Sequence, residues 1–344
     1  MHVSGMNGAQ GIKNHRGELQ RVLSREESYV DGKLSRAAFI SIAILTFITF
    51  VGNFTQLQLS SALPIIVSEF HISVTTGQWL PSVFQLVMGV MVPLTAFLTR
   101  RFSTRQIVIC SMAVFTLGSV LAWLGPNFVW VLVGRVLEAA GTGVMWPVLQ
   151  ITVFSIYPLS RRGFAMGTVG MAMSVAPAIG PTLGGWQTDA NGWRSIFLTM
   201  TIIGVISLLA AMFGLHNFGS HDPSARADFF SVSLSVIGFG GLMFGFTNSE
   251  TYGFAAPVTW GPMVVGLIGI VWFVLRNLRA GKRYREAVAE DKSALPQPPL
   301  LDLEVLKNRS FTVGTITASL AFFAFSSILV IMPLYIQTDS GYSA

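Results

Sequence analysis

Charge is what this 344-residue sequence has least of: Asp, Glu, Lys and Arg make up 11% of it, against about 25% in ordinary soluble domains. So few charges cannot cover a water-facing surface of this size. Cysteine is nearly absent, and the lone Cys110 excludes an internal disulfide framework and a cysteine-rich metal site. The five histidines (His2, His15, His71, His216, His221) fall in tails or loops without ligand spacing, so neither a metal nor another cofactor is expected. A P-loop, a His-Glu-x-x-His pair and paired cysteines are all missing. Gly238-Phe-Gly-Gly241 lies inside an apolar run with no strand before it, which rules out a dinucleotide loop. An enzyme is therefore not expected. The first 36 residues are polar and hold no apolar stretch ahead of a small-residue cleavage site, so they are not a secretory signal. What is abundant is apolar: 52% hydrophobic residues with 26 Phe and 34 Gly, and a mean hydropathy of +0.61. That composition suits helices solvated by lipid, where glycine is more frequent than in soluble helices.

A helix crossing a bilayer needs roughly 20 mostly apolar residues. Nine runs qualify: 37–60, 79–98, 105–124, 128–153, 164–186, 194–215, 229–247, 258–275 and 311–336. Short linkers between most of them force neighbours antiparallel. The expected fold is all-α, a polytopic transmembrane bundle. Twenty of the 22 basic residues then share one side of the membrane, among them Lys33, Arg100, Arg101, Arg105, Arg161, Arg162, Arg226, Arg276 and Lys292. Only Arg194 is opposite, and Arg135 is inside a run. Basic loops face the cytoplasm, so a multi-pass cell-membrane protein with a cytoplasmic N-terminus is expected. The net charge of +6 reads as membrane topology, not as affinity for nucleic acid. The first 36 residues read as a tail, with a short surface helix over Gly17–Val30 as an alternative. Pro296, Pro298 and Pro299 follow a charged stretch, and proline cannot continue a helix. Residues 276–310 are accordingly expected to be a cytoplasmic linker.

Most carboxylates lie outside the runs. Glu138 is the exception, in Gly134-Arg-Val-Leu-Glu-Ala-Ala-Gly-Thr-Gly143, with Arg135 three residues earlier on the same helical face. A charge at mid-membrane costs about 2.5–3.5 kcal/mol on insertion scales. Two readings stay open: a protonatable site that senses or carries a proton, and an ion pair that fixes helix packing. Ala139, Ala140, Gly141 and Gly143 read as a packing face, with similar spacing at Gly163/Gly167 and Gly241/Gly245. The fifth run holds Ala176-Pro-Ala-Ile-Gly-Pro-Thr-Leu-Gly-Gly185. Pro177 and Pro181 each delete a backbone donor, and Gly180, Gly184 and Gly185 permit close packing, so a bent helix at a buried seam is expected. Polar groups in the first, second and fourth runs, Gln56, Gln58, Gln85 and Gln150 among them, either bond neighbouring helices or line a wet cavity. Gln56 and Gln85 are the cavity candidates.

These residues resemble the fourteen-helix drug:proton antiporter branch of the major facilitator superfamily. The 176–185 cluster looks like its antiporter motif. Residues 134–143 are similar to its fourth-helix motif, whose arginine is linked to proton coupling, with Glu138 where glutamine is usual. Pro93-Leu-Thr-Ala-Phe-Leu-Thr-Arg-Arg-Phe-Ser-Thr-Arg105 is similar to its cytoplasmic loop motif, to which Arg101 and Arg105 belong. The usual loop aspartate is Arg100 here, and Thr55 stands near the first-helix acid of many relatives. The resemblance implies proton-coupled efflux of amphipathic or cationic compounds by alternating access between two helical halves. Its partners are then the bilayer, a small-molecule substrate and protons. It also implies a domain order: tail 1–36, six-helix bundle 37–215, two additional helices in 216–275, linker 276–310, and the first helix of a second bundle in 311–344. A chain of this length is then expected to be an N-terminal fragment, which would need the missing C-terminal half. A degraded or split non-transporting half and an exporter of one metabolite are the alternatives.

Overall fold

A computed structural model describes residues 12–13, 19–20, 22–30, 32–218, 228–290, 299 and 301–338. His2, His15, Arg16, Arg21, His221, Arg226, Lys292, Pro296, Pro298 and residues 339–344 lie outside the described residues.

The apolar runs are helices. In chain order they are α1 (Arg36–Ser60), α2 (Trp79–Arg101), α3 (Thr104–Leu124), α4 (Phe128–Gly143), α5 (Met145–Ile156), α6 (Arg162–Asn191), α7 (Arg194–Gly214), α8 (Phe229–Tyr252), α9 (Pro257–Ala289) and α10 (Arg309–Thr338). Eight helical segments among the described residues are long and apolar enough to cross a membrane, α4 and α5 counting as one. Helix α10 occupies the ninth expected run. Several starts, those of α1, α3, α4 and α8 among them, are set by short polar side chains that satisfy free N–H groups of the first turn. Ser35 accepts from the Ala38 amide, Asn127 from Trp130 and Asp228 from Ser231. Ser103 and Gln106 form a reciprocal capping box. Gly192 and Gly253 end α6 and α8 at φ of +76° and +73°, where a side chain would be strained.

Two boundaries differ from the expected runs. The fourth run is two helices broken at Val144. Pro147 lacks the N–H that would bond the Gly143 carbonyl, which accounts for the break. Helix α9 continues to Ala289, well past the expected end at 275. The apolar run stops there, but Arg276–Ala289 is rich in helix-forming Arg, Lys, Glu and Ala. Part of the expected linker is therefore helical.

The chain divides into two compact units, Met1–Phe273 and Val274–Ala344. In the first, α3 packs on α4 and α7, α1 on α6, and α2 on α4 and α8. Its main core gathers Leu45, Ile48, Met112, Phe115, Met145 and Leu149, and a second cluster forms around Trp193, Phe197, Leu80 and Ile66. Within the described part of the expected tail, Arg25–Ser28 is a single capped helical turn, and Val22–Leu23 pairs in parallel with Asn217–Phe218. In the second unit, the Leu301 amide donates to Asn277 at 3.1 Å, and Arg285 pairs with Asp302 and Glu304.

Candidate functional site: a buried ion pair in α4

Arg135 and Glu138 lie three residues apart in α4, and both side chains are 0% exposed. Arg135 Nη1 donates to Glu138 Oε2 at 2.7 Å. The other carboxylate oxygen, Oε1, accepts from Ser119 Oγ of α3, also at 2.7 Å. The guanidinium carbon lies 4.1 Å from the ring centroid of Phe84 in α2, so one face of the cation rests on an aromatic quadrupole. Three helices thus compensate one buried pair. The compensation is incomplete: Arg135 Nε and Nη2 have no hydrogen-bond partner among the described residues. Isolated charges in such surroundings are costly, and even a buried pair is held only by good geometry and further hydrogen bonds. Chemically the site offers a carboxylate able to accept a proton and a cation with two spare donors.

Small residues let α4 reach this position. A Cβ on Gly118 of α3 would stand 2.6 Å from the Gly134 carbonyl oxygen, and one on Gly141 would stand 2.8 Å from Phe115 Cβ. Gly143 faces Met91 of α2, and Gly52 of α1 faces Thr142. Gly241 and Gly245 likewise seat α8 against Pro262, Gly266 and Thr259 of α9, whereas Gly163 and Gly167 face open space. The similar spacing there is not a packing contact.

The Gly/Pro cluster forms a second feature, the α1/α6 seam. Helix α6 runs on through Pro177 and Pro181 as one element. A Cβ on Gly180 would stand 3.0 Å from Leu57 Cβ, and one on Gly184 would overlap the Gln58 carbonyl oxygen. Gly185 is looser, its nearest neighbour being Ser61 Cβ at 4.0 Å. Ser61 Oγ donates to the Pro181 carbonyl at 2.8 Å. Gln58 Nε2 donates to Gln187 Oε1 at 2.7 Å, and Gln187 Nε2 donates on to Thr199 of α7 at 2.5 Å. Gln58 is therefore the buried glutamine of α1. Gln56 is half-buried and Gln85 exposed, and no hydrogen bond joins either to the Arg135–Glu138 pair. Thr55 is buried and donates to its own helix at the Val51 carbonyl, 2.8 Å away.

At the basic end, the Arg105 amide donates to Asn217 Oδ1 at 3.2 Å, and its guanidinium donates to the Met212 carbonyl of α7. Arg101 is exposed, 5.8 Å from the Phe102 ring centroid. Arg25 and Arg162 converge on the carbonyl end of α5, both donating to Phe154 O, where a helix terminus favours cations. Ser119, Phe84, Gln58 and Arg25 were not singled out as site residues by the sequence. Among the described residues no three His, Cys, Asp or Glu side chains are grouped to hold a metal.

The family model described as Major Facilitator Superfamily matches residues 42–255. The chain belongs to the major facilitator superfamily. It is 35% identical over 298 residues to the uncharacterized MFS-type transporter YcnB of Bacillus subtilis, covering 87% of this chain and 60% of that protein. It is 32% identical over 290 residues to the lincomycin resistance protein LmrB of Bacillus subtilis, covering 84% of this chain and 57% of that one. The chain therefore spans a little over half the length of these relatives. A crystal structure of the peptide transporter POT in complex with sulfate superposes with a TM-score of 0.53 at 15% identity, covering 76% of this chain and 56% of that one. That likeness concerns the fold alone. With its apolar helices and superfamily membership, this is a multi-pass membrane protein.

Proposed function

We propose that the chain supplies the first six-helix bundle, residues 37–215, of a proton-coupled exporter of amphipathic or cationic organic compounds. Two additional helices within 216–275, a cytoplasmic linker at 276–310 and the opening helix of a second bundle in 311–344 complete this reading. The transporter works by alternating access in the cell membrane, with its N-terminus in the cytoplasm. The observation that carries the proposal is the Arg135–Glu138 pair, fully buried in the middle of a membrane helix. An ionisable residue placed there is a functional hypothesis by default. Resistance to lincomycin, named for a relative, supports export over uptake.

The coupling follows from charge. With Glu138 ionised the pair is neutral overall. A proton on Glu138 leaves Arg135 as an uncompensated cation in a low-dielectric interior, where like charges repel strongly. A cationic substrate bound between the two helical halves is disfavoured by that extra charge, and a bound substrate disfavours the proton by the same free energy. Gln56 and Gln85 are proposed to line the substrate cavity between the halves. The α1/α6 seam at Pro177, Gly180, Pro181, Gly184 and Gly185 is proposed as the packed surface that holds the orientation between transport steps. Arg101 and Arg105 are proposed to fasten the cytoplasmic end.

The test is efflux driven by a pH gradient in inverted vesicles, with a full-length transporter carrying this bundle. Glu138→Gln keeps the shape and removes the titration. The expected result is a loss of gradient-driven efflux of about tenfold or more, about 1.4 kcal/mol on a rate. Undiminished transport removes Glu138 from the mechanism.

A further inference from the structure

A groove runs along the junction of α2, α8 and the start of α9, and neither Arg135 nor Glu138 lines it. Its inner part has a volume of about 670 Å³ and is walled by aliphatic residues such as Val87, Val90, Val236 and Val265, with Gly240 on its floor. That volume falls in the ~300–1,000 Å³ range of small-molecule sites. Phe244 also lines a neighbouring, smaller pocket of about 150 Å³, with Thr75, Gln78, Ser82, Thr247, Asn248, Trp79 and Tyr252. Trp79 and Phe244 lie with ring centroids 5.4 Å apart where the two parts meet. Among the described residues no Asp, Glu, Lys, Arg or His lines either part.

We infer that this groove holds one zwitterionic membrane phospholipid, in the leaflet opposite the basic loops. Three observations carry the assignment. The polarity runs the right way: α2 begins and α8 ends at the side away from Arg100–Arg105, and the hydroxyl, amide and aromatic residues are at that end. Trp and Tyr favour that depth because one end of the ring system is apolar and the other wet. The length fits: from Val236 to Asn248 the helix rises about 18 Å, close to the roughly 15 Å half-thickness of a hydrocarbon core. The absence of cations from the described lining argues against selection of an anionic headgroup, and Trp79 and Tyr252 are of the ring types that attract an ammonium. Beside the groove, α8 meets α2 at a tight point, where a Cβ on Gly89 would stand 2.8 Å from Met243 Sδ. A lipid in the groove extends that contact and helps fasten α8 to the bundle.

The test uses the full chain in vesicles of equal parts phosphatidylethanolamine and phosphatidylglycerol, doped with phosphatidylethanolamine carrying a diazirine on one acyl chain. After irradiation, peptide mass spectrometry reads the adducts. Labelling at Val90, Val236 and Gly240 should exceed that at Leu117 and Phe213, exposed apolar residues elsewhere, by about tenfold. Gly240→Leu and, separately, Val236→Trp should each abolish the excess while labelling at Phe213 persists, which reports an intact membrane fold. The same diazirine chain on phosphatidylglycerol should give no excess. Even labelling over all apolar surfaces, an excess that survives both groove-filling variants, or equal labelling by the two headgroups overturns the inference. Suppression of the excess by a lipophilic cation such as tetraphenylphosphonium also overturns it, and makes the groove a substrate subsite instead.

Discussion

Gly118 and Gly134 face each other across α3 and α4 with no room for a methyl group on either: a Cβ on one would stand 2.6 Å from the carbonyl oxygen of the other. This contact brings Ser119 to hydrogen-bonding distance of Glu138, because Ser119 follows Gly118 on the same helix. We expect Gly118→Ala to destabilise the bundle by about 1–3 kcal/mol, the usual cost of overpacking a filled interior. Gly163→Ala, with open space around it, should be neutral or slightly stabilising, since alanine favours helix over glycine. Unfolding of the two variants in detergent, followed by circular dichroism, compares them directly.

The buried pair should behave as a unit. Arg135→Met strands a carboxylate and Glu138→Met strands a guanidinium, and each should cost about 3–5 kcal/mol. The double variant removes both charges and should regain most of that loss, since an apolar replacement of a whole buried pair is often near neutral. If the pair couples transport, gradient-driven efflux should stay lowered in the double variant despite the recovered fold. Additive losses in unfolding titrations would show that the two side chains do not interact.

The helices were legible in the sequence because lipid demands long apolar runs, and the nine expected runs coincide with α1 to α10 once α4 and α5 are joined. The Arg135–Glu138 pair was legible for the same reason: a charge inside such a run stands out, and a spacing of three puts both on one face. Its partners were not. Phe84 and Ser119 come from other helices, and nothing local marks either as a neighbour of α4. Gln56 and Gln58 could not both face inward, being two residues apart on a helix of 3.6 residues per turn. Only the position of α6, with Gly184 against the Gln58 carbonyl, decides that Gln58 is the buried one. The end of α9 was missed because hydropathy reports where lipid ends, while helix propensity decides where the helix ends.

Glu304 lies outside the membrane helices and offers a pH handle on the second unit. Its carboxylate accepts from Lys307 Nζ and pairs with Arg285 Nη2, each at 2.8 Å. The hydrogen bond from Lys307, aided by the charges of Arg285 and Lys307, holds its pKa below the ordinary glutamate value against an opposing desolvation. A carboxylate depressed in the folded state contributes its stability above the unfolded pKa, and that contribution is lost as pH falls through the folded one. We expect carbon-13 titration of Glu304 to give a midpoint below that of glutamate in an unfolded peptide, with the difference shrinking in high salt. In Glu304→Gln the Arg285 contact should lose its pH dependence. A midpoint at or above the peptide value refutes the assignment.

The α1/α6 seam makes the sharpest positional forecast, because Gly184 and Gly185 are adjacent and meet such different surroundings. An alanine at 184 would overlap the Gln58 carbonyl, backbone that cannot swing away, whereas one at 185 meets only Ser61 Cβ at 4.0 Å. Gly184→Ala must therefore push α6 away from α1. That separation also strains the Gln58–Gln187 and Ser61–Pro181 hydrogen bonds, both of which cross the seam. Gly185→Ala asks for no movement. If the seam holds the orientation between transport steps, Gly184→Ala should lower gradient-driven efflux by about fivefold or more, about 1 kcal/mol on a rate, and Gly185→Ala should leave it within about twofold of the parent, as for a surface change of ±0.5 kcal/mol. The measurement pairs efflux with accessibility of a single engineered thiol at Ser60, at the exposed end of α1. Gly184→Ala should change the labelling rate there and Gly185→Ala should not. Equal effects of the two substitutions would mean that backbone contact at Gln58 does not govern the seam.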